Sequence, residues 1–162
     1  MNHVQILPLR TILESFMNPG DELPEPFLDC QAFIMGSSPI LDDPGDVDVC
    51  VLVPDLKAVD TFTHSSKGWE WVGDSYHDST FVSIELQRAL PINLICSDDK
   101  LFFEATHMAQ EVMEWTNRRH PNAFTSRHDR VILFDLMFKT CLDKQEESEA
   151  VSDPINDDEC PF

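Results

Sequence analysis

Asp46 and Asp48 stand two residues apart at the head of an apolar run, Val47-Asp48-Val49-Cys50-Val51-Leu52-Val53. On a strand, side chains two apart share a face, so the carboxylates would sit side by side while Val47 and Val49 point into a core. Two hard oxygen donors so placed suit a divalent cation such as Mg²⁺. A second apolar run, Phe33-Ile34-Met35, stops at Gly36-Ser37. Without a Cβ at Gly36, backbone amides there can approach a phosphate closely. A cation site and a phosphate seat separated by a short loop are the parts needed to grip a nucleoside triphosphate and its Mg²⁺.

The combined pattern is a hydrophobic residue, Gly36-Ser37, a short spacer, then Asp46-Val47-Asp48 between hydrophobic residues. It resembles the signature of the polymerase-beta-like nucleotidyltransferase superfamily. A second block, Pro91-Ile92-Asn93-Leu94-Ile95-Cys96-Ser97-Asp98-Asp99 followed by a helical segment, resembles small nucleotidyltransferase-like proteins of tailed bacteriophages, as does Arg130-Val-Ile-Leu-Phe134-Asp. Together the blocks span residues 30–142. The resemblance implies a minimal nucleotidyltransferase-like fold, Mg²⁺-dependent transfer of a nucleotidyl group to an unknown acceptor hydroxyl, and a phage-encoded protein in a host cytoplasm. By the same resemblance Asp46 and Asp48 are the catalytic metal ligands, and Gly36 and Ser37 contact the phosphates.

The chain departs from that pattern in two places. Where many members carry a third carboxylate between hydrophobic residues, the matching setting is Ile92-Asn93-Leu94, so the third metal position falls on the neutral amide of Asn93. The phage-type relatives share an asparagine there, and Glu85 on the neighbouring strand is an alternative source of oxygen. Cationic help for a triphosphate is also scarce, since Lys57 is the one base between Gly36 and Asp60, against six acids. Arg88, Arg127 and Arg130 are the candidates to supply it. Arg88, at the turn of a proposed hairpin, is the best placed to bind nucleotide.

The elements that must hold these residues follow from periodicity. Leu7, Leu9, Ile12, Leu13 and Phe16 are spaced as on a helix that Asn18-Pro19-Gly20 stops. Gln31 to Met35, Val47 to Val53, Trp69 to Val72, Thr80 to Gln87 and Ile92 to Cys96 read as strands, the last two as an antiparallel pair. Asp55 to Ser65 reads as a helix. Asp98 or Asp99 can cap a longer one with Leu101, Phe102, Ala105, Met108, Val112 and Trp115 on one side. Ser126 can cap a last helix with Val131, Ile132, Phe134, Leu136, Met137 and Cys141 toward a core. The expected architecture is a small mixed sheet flanked by helices, an α/β (α+β) domain over residues 1–142 with an acidic, disordered tail over 143–162.

Composition narrows the function classes. At 162 residues and 42% hydrophobic content the chain is long enough and apolar enough for one folded domain. No apolar run approaches the length of a membrane span, and the N-terminal residues do not read as a secretory signal, so a cytoplasmic protein is expected. Five scattered cysteines without zinc spacing read as reduced thiols. Thirty acids against 11 bases give a net charge of −19. From Asp143 onward there are eight acids and one base, so −12 remains on residues 1–142. A surface this negative disfavours long nucleic acid as a partner. It admits a nucleotide delivered with Mg²⁺, or a host protein as acceptor. It equally fits a catalytically inactive acidic phage protein that binds and inhibits a host nucleic-acid or defence enzyme.

Overall fold

The computed structural model describes residues 3–73 and 81–151. Six strands form one mixed sheet in the order β1-β2-β3-β6-β5-β4. They are β1 (Leu7–Pro8), β2 (Gln31–Met35), β3 (Val47–Leu52), β4 (Trp69–Gly73), β5 (Phe81–Leu86) and β6 (Ile92–Ser97). β3 and β6 run parallel at the centre, and every other pairing is antiparallel. The mixed α/β architecture is therefore as expected, including the β5–β6 hairpin. Thr80, the first residue of the expected β5, lies outside the described residues.

Each face of the sheet is covered by helices. Val47, Val49 and Val51 of β3, with Ile92 and Leu94 of β6, pack on one face against α1 (Leu9–Leu13) and α2 (Leu56–Ser65). On the other face Phe33 and Cys50 pack against Phe102, Phe103 and Ala105 of α3 (Lys100–Arg119), with Phe138 of α4 (Arg127–Val151) behind them. Burial of this many large apolar side chains, each worth about 1.5–3 kcal/mol, supplies the force that closes the three layers.

Local chemistry sets several boundaries. The Asp55 carboxylate accepts from the Lys57 amide at 2.9 Å and starts α2, and Asp99 does the same for Leu101 at 2.9 Å to start α3. The helix expected from Leu7 is cut short. Pro8 holds the preceding residue extended, so Leu7–Pro8 pairs with β2 and the helix opens at Leu9. The tail expected to begin at Asp143 is instead continuous with α4, helical through Val151.

The outer helices are rotated from the expected phase. On α3 the buried residues are Phe102, Phe103, Ala105, Thr106, Ala109, Gln110 and Met113, while Met108, Val112 and Trp115 are exposed. On α4 Phe138 is buried, whereas Val131, Ile132 and Leu136, expected in the core, are not. Small residues at 105, 106 and 109 let α3 settle close on the sheet, and that contact outweighs the larger stripe on its other side. Trp69 and Trp71 divide as well. Trp69 is buried, its indole N–H donating to the Glu22 carbonyl at 2.9 Å, while Trp71 is exposed beside a register shift near Gly73.

Candidate functional site

Parallel pairing of β3 with β6 places Asp48 opposite Asn93, and β5 in turn places Glu85 opposite Asn93. These positions lie on the face covered by α3 and α4, below the point where Phe33, Cys50 and Ile95 pack under the helices. Where that helical layer ends, a cavity of about 530 Å³ opens. Its polar wall comprises Gly36, Ser37, Asp46, Asp48, Asn93, Arg127 and Arg130, and its apolar wall includes Phe81, Phe102, Phe134 and Phe138. The structure thus brings both expected aspartates, the Gly-Ser pair and Asn93 into one cavity.

Asp48 is held at both oxygens. The Asn93 amide nitrogen donates to Oδ1 at 2.9 Å. Oδ2 rests against Gly36, so close that a Cβ built there would stand 2.5 Å away. Burial, followed by the neighbouring charge of Asp46, pushes the Asp48 carboxyl up from its ordinary value to about 6, while the Asn93 hydrogen bond and the charge of Arg127 pull the other way. Asp46, Asp48, Arg127 and Arg130 thus bring charge of both signs to one cavity.

This geometry bears on three expected roles. Asn93 uses both ends of its amide, the nitrogen on Asp48 and the oxygen as acceptor from the Ser83 hydroxyl at 2.5 Å. It orients Asp48 within the cavity that both residues line. Gly36 does not present its amide to a phosphate, because that N–H donates to Gln110 Oε1 at 2.9 Å. Arg88 is far from nucleotide duty. Its guanidinium pairs with Asp21 at 2.5 Å and also donates to the Phe16 and Leu90 carbonyls, and it does not line the cavity. Arg127 and Arg130, which the sequence offered only as alternatives, do line it. Glu85 lies outside the lining and accepts from Gln87 at 2.7 Å, although its charge reaches Asp48.

The Arg88–Asp21 pair is mostly buried, with side chains 17% and 19% exposed. Arg88→Ala should therefore destabilise the fold by about 3 kcal/mol, since Asp21 would be left buried without its partner. Nucleotide affinity should not change. Urea unfolding beside a binding titration checks both halves, and a loss of affinity without loss of stability would return Arg88 to the site.

Gln110 was not anticipated. It is fully buried on α3, donates its amide to the Gly36 carbonyl (3.5 Å) and to Glu114 (3.1 Å), and ties the end of β2 to the helix layer. Its signal was spacing, because Phe103, Thr106, Gln110 and Met113 recur at intervals of three and four along the buried side. Thiol chemistry is absent from the cavity lining. Cys50 and Cys96 are buried in apolar packing, which pushes both thiols well above the ordinary range and leaves them unreactive.

Comparison with known proteins gives little beyond this. No family model matches the chain, and no curated protein matches it. A solved structure, that of the conserved protein GrpB from Enterococcus faecalis, aligns over 88% of this chain and 98% of its own at 12% identity, with a TM-score of 0.36. A likeness that distant carries no argument about function. These results correct the resemblance drawn from the sequence blocks, since neither the superfamily nor a phage protein is recovered by any comparison. Among the described residues no helix is long and apolar enough to cross a membrane.

The residues present can be weighed against a divalent cation directly. Among the described residues no group of three His, Cys, Asp or Glu side chains gathers into a metal site. Asp46 and Asp48 alone are too few to cage a free ion. They fit Mg²⁺ arriving with a nucleotide, because Mg²⁺ is commonly held by one or two carboxylates together with substrate phosphates and water.

Proposed function

We propose that the chain transfers a nucleotidyl group from a nucleoside triphosphate to an acceptor hydroxyl in a Mg²⁺-dependent reaction. One observation carries the reading. Asp46 and Asp48 line the same cavity of about 530 Å³ as Arg127 and Arg130, so groups suited to a cation and to phosphate anions border one space, with Arg130 Nη1 also donating to the Phe124 and Thr125 carbonyls at 2.8 Å. That volume is in the range of small-molecule sites.

Asp46 and Asp48 would hold the cation, with Asn93 fixing the orientation of Asp48. Mg²⁺, when bound, supplies charge neutralisation for phosphates undergoing in-line displacement. Arg127 and Arg130 stabilise the negative charge that builds on the departing pyrophosphate. The acceptor oxygen forms its bond to the α-phosphorus as the bond to the pyrophosphate oxygen breaks, and the acceptor proton is released to water. Phe134 and its aromatic neighbours offer an apolar wall to the base.

Pyrophosphate release is the readout. With Mg²⁺ and a mixture of nucleoside triphosphates, Arg127→Ala combined with Arg130→Ala should lower turnover about a hundredfold, the scale of losing charge stabilisation at a developing anion. A variant that releases pyrophosphate as fast as the parent chain removes the arginines from the proposal.

A further inference from the structure

The pleat of β5 turns Phe81, Ser83 and Glu85 toward the face that the outer helices cover, while Val82, Ile84 and Leu86 pack into the opposite core. Ser83 is 7% exposed, and among the described residues its hydroxyl has one partner, the Asn93 amide oxygen. Burying a hydroxyl is unfavourable unless it is hydrogen-bonded, so packing alone would be served as well by alanine.

That bond extends a chain of hydrogen bonds across three adjacent strands. Ser83 of β5 donates to Asn93 Oδ1 of β6 at 2.5 Å, and Asn93 Nδ2 donates to Asp48 Oδ1 of β3 at 2.9 Å. An ionised carboxylate only accepts, so Asp48 takes the nitrogen end of the amide and leaves the oxygen end in need of a donor. Glu85 stands directly opposite Asn93 in the register, but its carboxylate has no proton to give and accepts from Gln87 instead. The diagonal neighbour, Ser83, supplies the donor. Without it the amide would be held at one end only.

We infer that Ser83 is a positioning residue for the cation site: its hydroxyl anchors the far end of the Asn93 amide, and the anchored amide aims Asp48. Ser83 does not line the cavity, so its route to the site runs through Asn93. Removing a group that orients a metal ligand without touching the metal commonly costs about ten- to hundredfold in affinity or activity. The gain for the cation site rests on the proposed nucleotide reading, whereas the anchoring of Asn93 does not.

Two measurements on the full chain keep these apart. In nitrogen-15 spectra of the ligand-free chain, the Asn93 side-chain amide is identified by its loss in Asn93→Ala. Its exchange with solvent should be at least about tenfold faster in Ser83→Ala than in the parent, with circular dichroism unchanged. Calorimetric titration with nucleoside triphosphate and Mg²⁺ then reads the site. Ser83→Ala should weaken binding about tenfold and Asn93→Ala at least as much. The double variant should bind no worse than Asn93→Ala alone, since Ser83 acts through Asn93; a loss from general loosening of the sheet would add instead. Equal amide exchange in the parent and Ser83→Ala overturns the anchoring. Affinity losses that add in the double variant overturn the positioning role. A parent chain that binds no triphosphate refutes the nucleotide reading, and amide exchange alone then decides the role of Ser83.

Discussion

Replacing Asp48 by asparagine should lower activity and raise stability in the same molecule. The loss of activity follows from removing one of two carboxylates that would hold the cation, and it should reach about a thousandfold. The gain follows from what burial and Asp46 do to the Asp48 carboxyl, which they push up to about 6. A carboxyl with a folded-state value above its unfolded one binds its proton more tightly in the folded chain. Its contribution to stability is fully present below the ordinary carboxylate value and is lost as pH rises through about 6. At pH 8 the parent chain bears the full cost of a half-buried charge, and asparagine does not. The variant should then be more stable by at most about 3 kcal/mol, less whatever solvent screening removes. The difference should shrink as pH falls through 6 and vanish near 4. Thermal unfolding of both chains across that range checks the sign, since asparagine can still accept the Asn93 hydrogen bond. A variant less stable than the parent at pH 8 would mean that Asp48 is stabilised where it sits.

Gly36→Ala should be the most damaging single methyl in the chain. Gly36 has φ +73°, a left-handed conformation that costs an alanine about 1–2 kcal/mol by itself. The added Cβ would also stand 2.5 Å from Asp48 Oδ2 and 3.3 Å from Asp48 Cγ. Asp48 has a short side chain and is tied through Oδ1 to Asn93, so it cannot swing clear without breaking that bond. Loss of a packed polar contact adds to the backbone cost, and a total of about 3 kcal/mol is expected. Activity should fall with it, because the displaced group is the proposed cation ligand. Urea unfolding of Gly36→Ala in the parent and in an Asp48→Ala background separates the two causes. With Asp48 shortened, only the backbone part should remain. Equal costs in both backgrounds would show that the close approach of Gly36 to Asp48 has no energetic weight.

The sequence was most legible where one local signal had no competitor. The alternation in β5, the Asp55 and Asp99 caps, and the placing of Asp48 on the strand face opposite Val47 and Val49 needed only the pleat and the geometry of helix starts. Elements touched on two sides were harder. α3 lies between the sheet and α4, so both of its long faces carry apolar residues, and the larger stripe of Met108, Val112 and Trp115 points away from the sheet. α4 between residues 131 and 138 has almost no polar side from which to read a phase. Roles that depend on long-range partners could not be read at all. Gln110 is 74 positions from Gly36, and Asp21 is 67 from Arg88. Both bonds redirect a residue from the role its neighbours in sequence had implied. Arg127 and Arg130 reach the site because α4 folds back along α3 to the open end of the cavity, a placement fixed by the tertiary fold.

Calorimetric titration of each nucleoside triphosphate into the intact chain at millimolar Mg²⁺, with Asp46→Asn as the control, tests the central claim most directly. At least one triphosphate should bind, the binding should require Mg²⁺, and Asp46→Asn should abolish it while the variant remains folded. If no triphosphate binds the intact chain under those conditions, or if one binds Asp46→Asn equally well, the cavity between the aspartates and the arginines is not a nucleotide site.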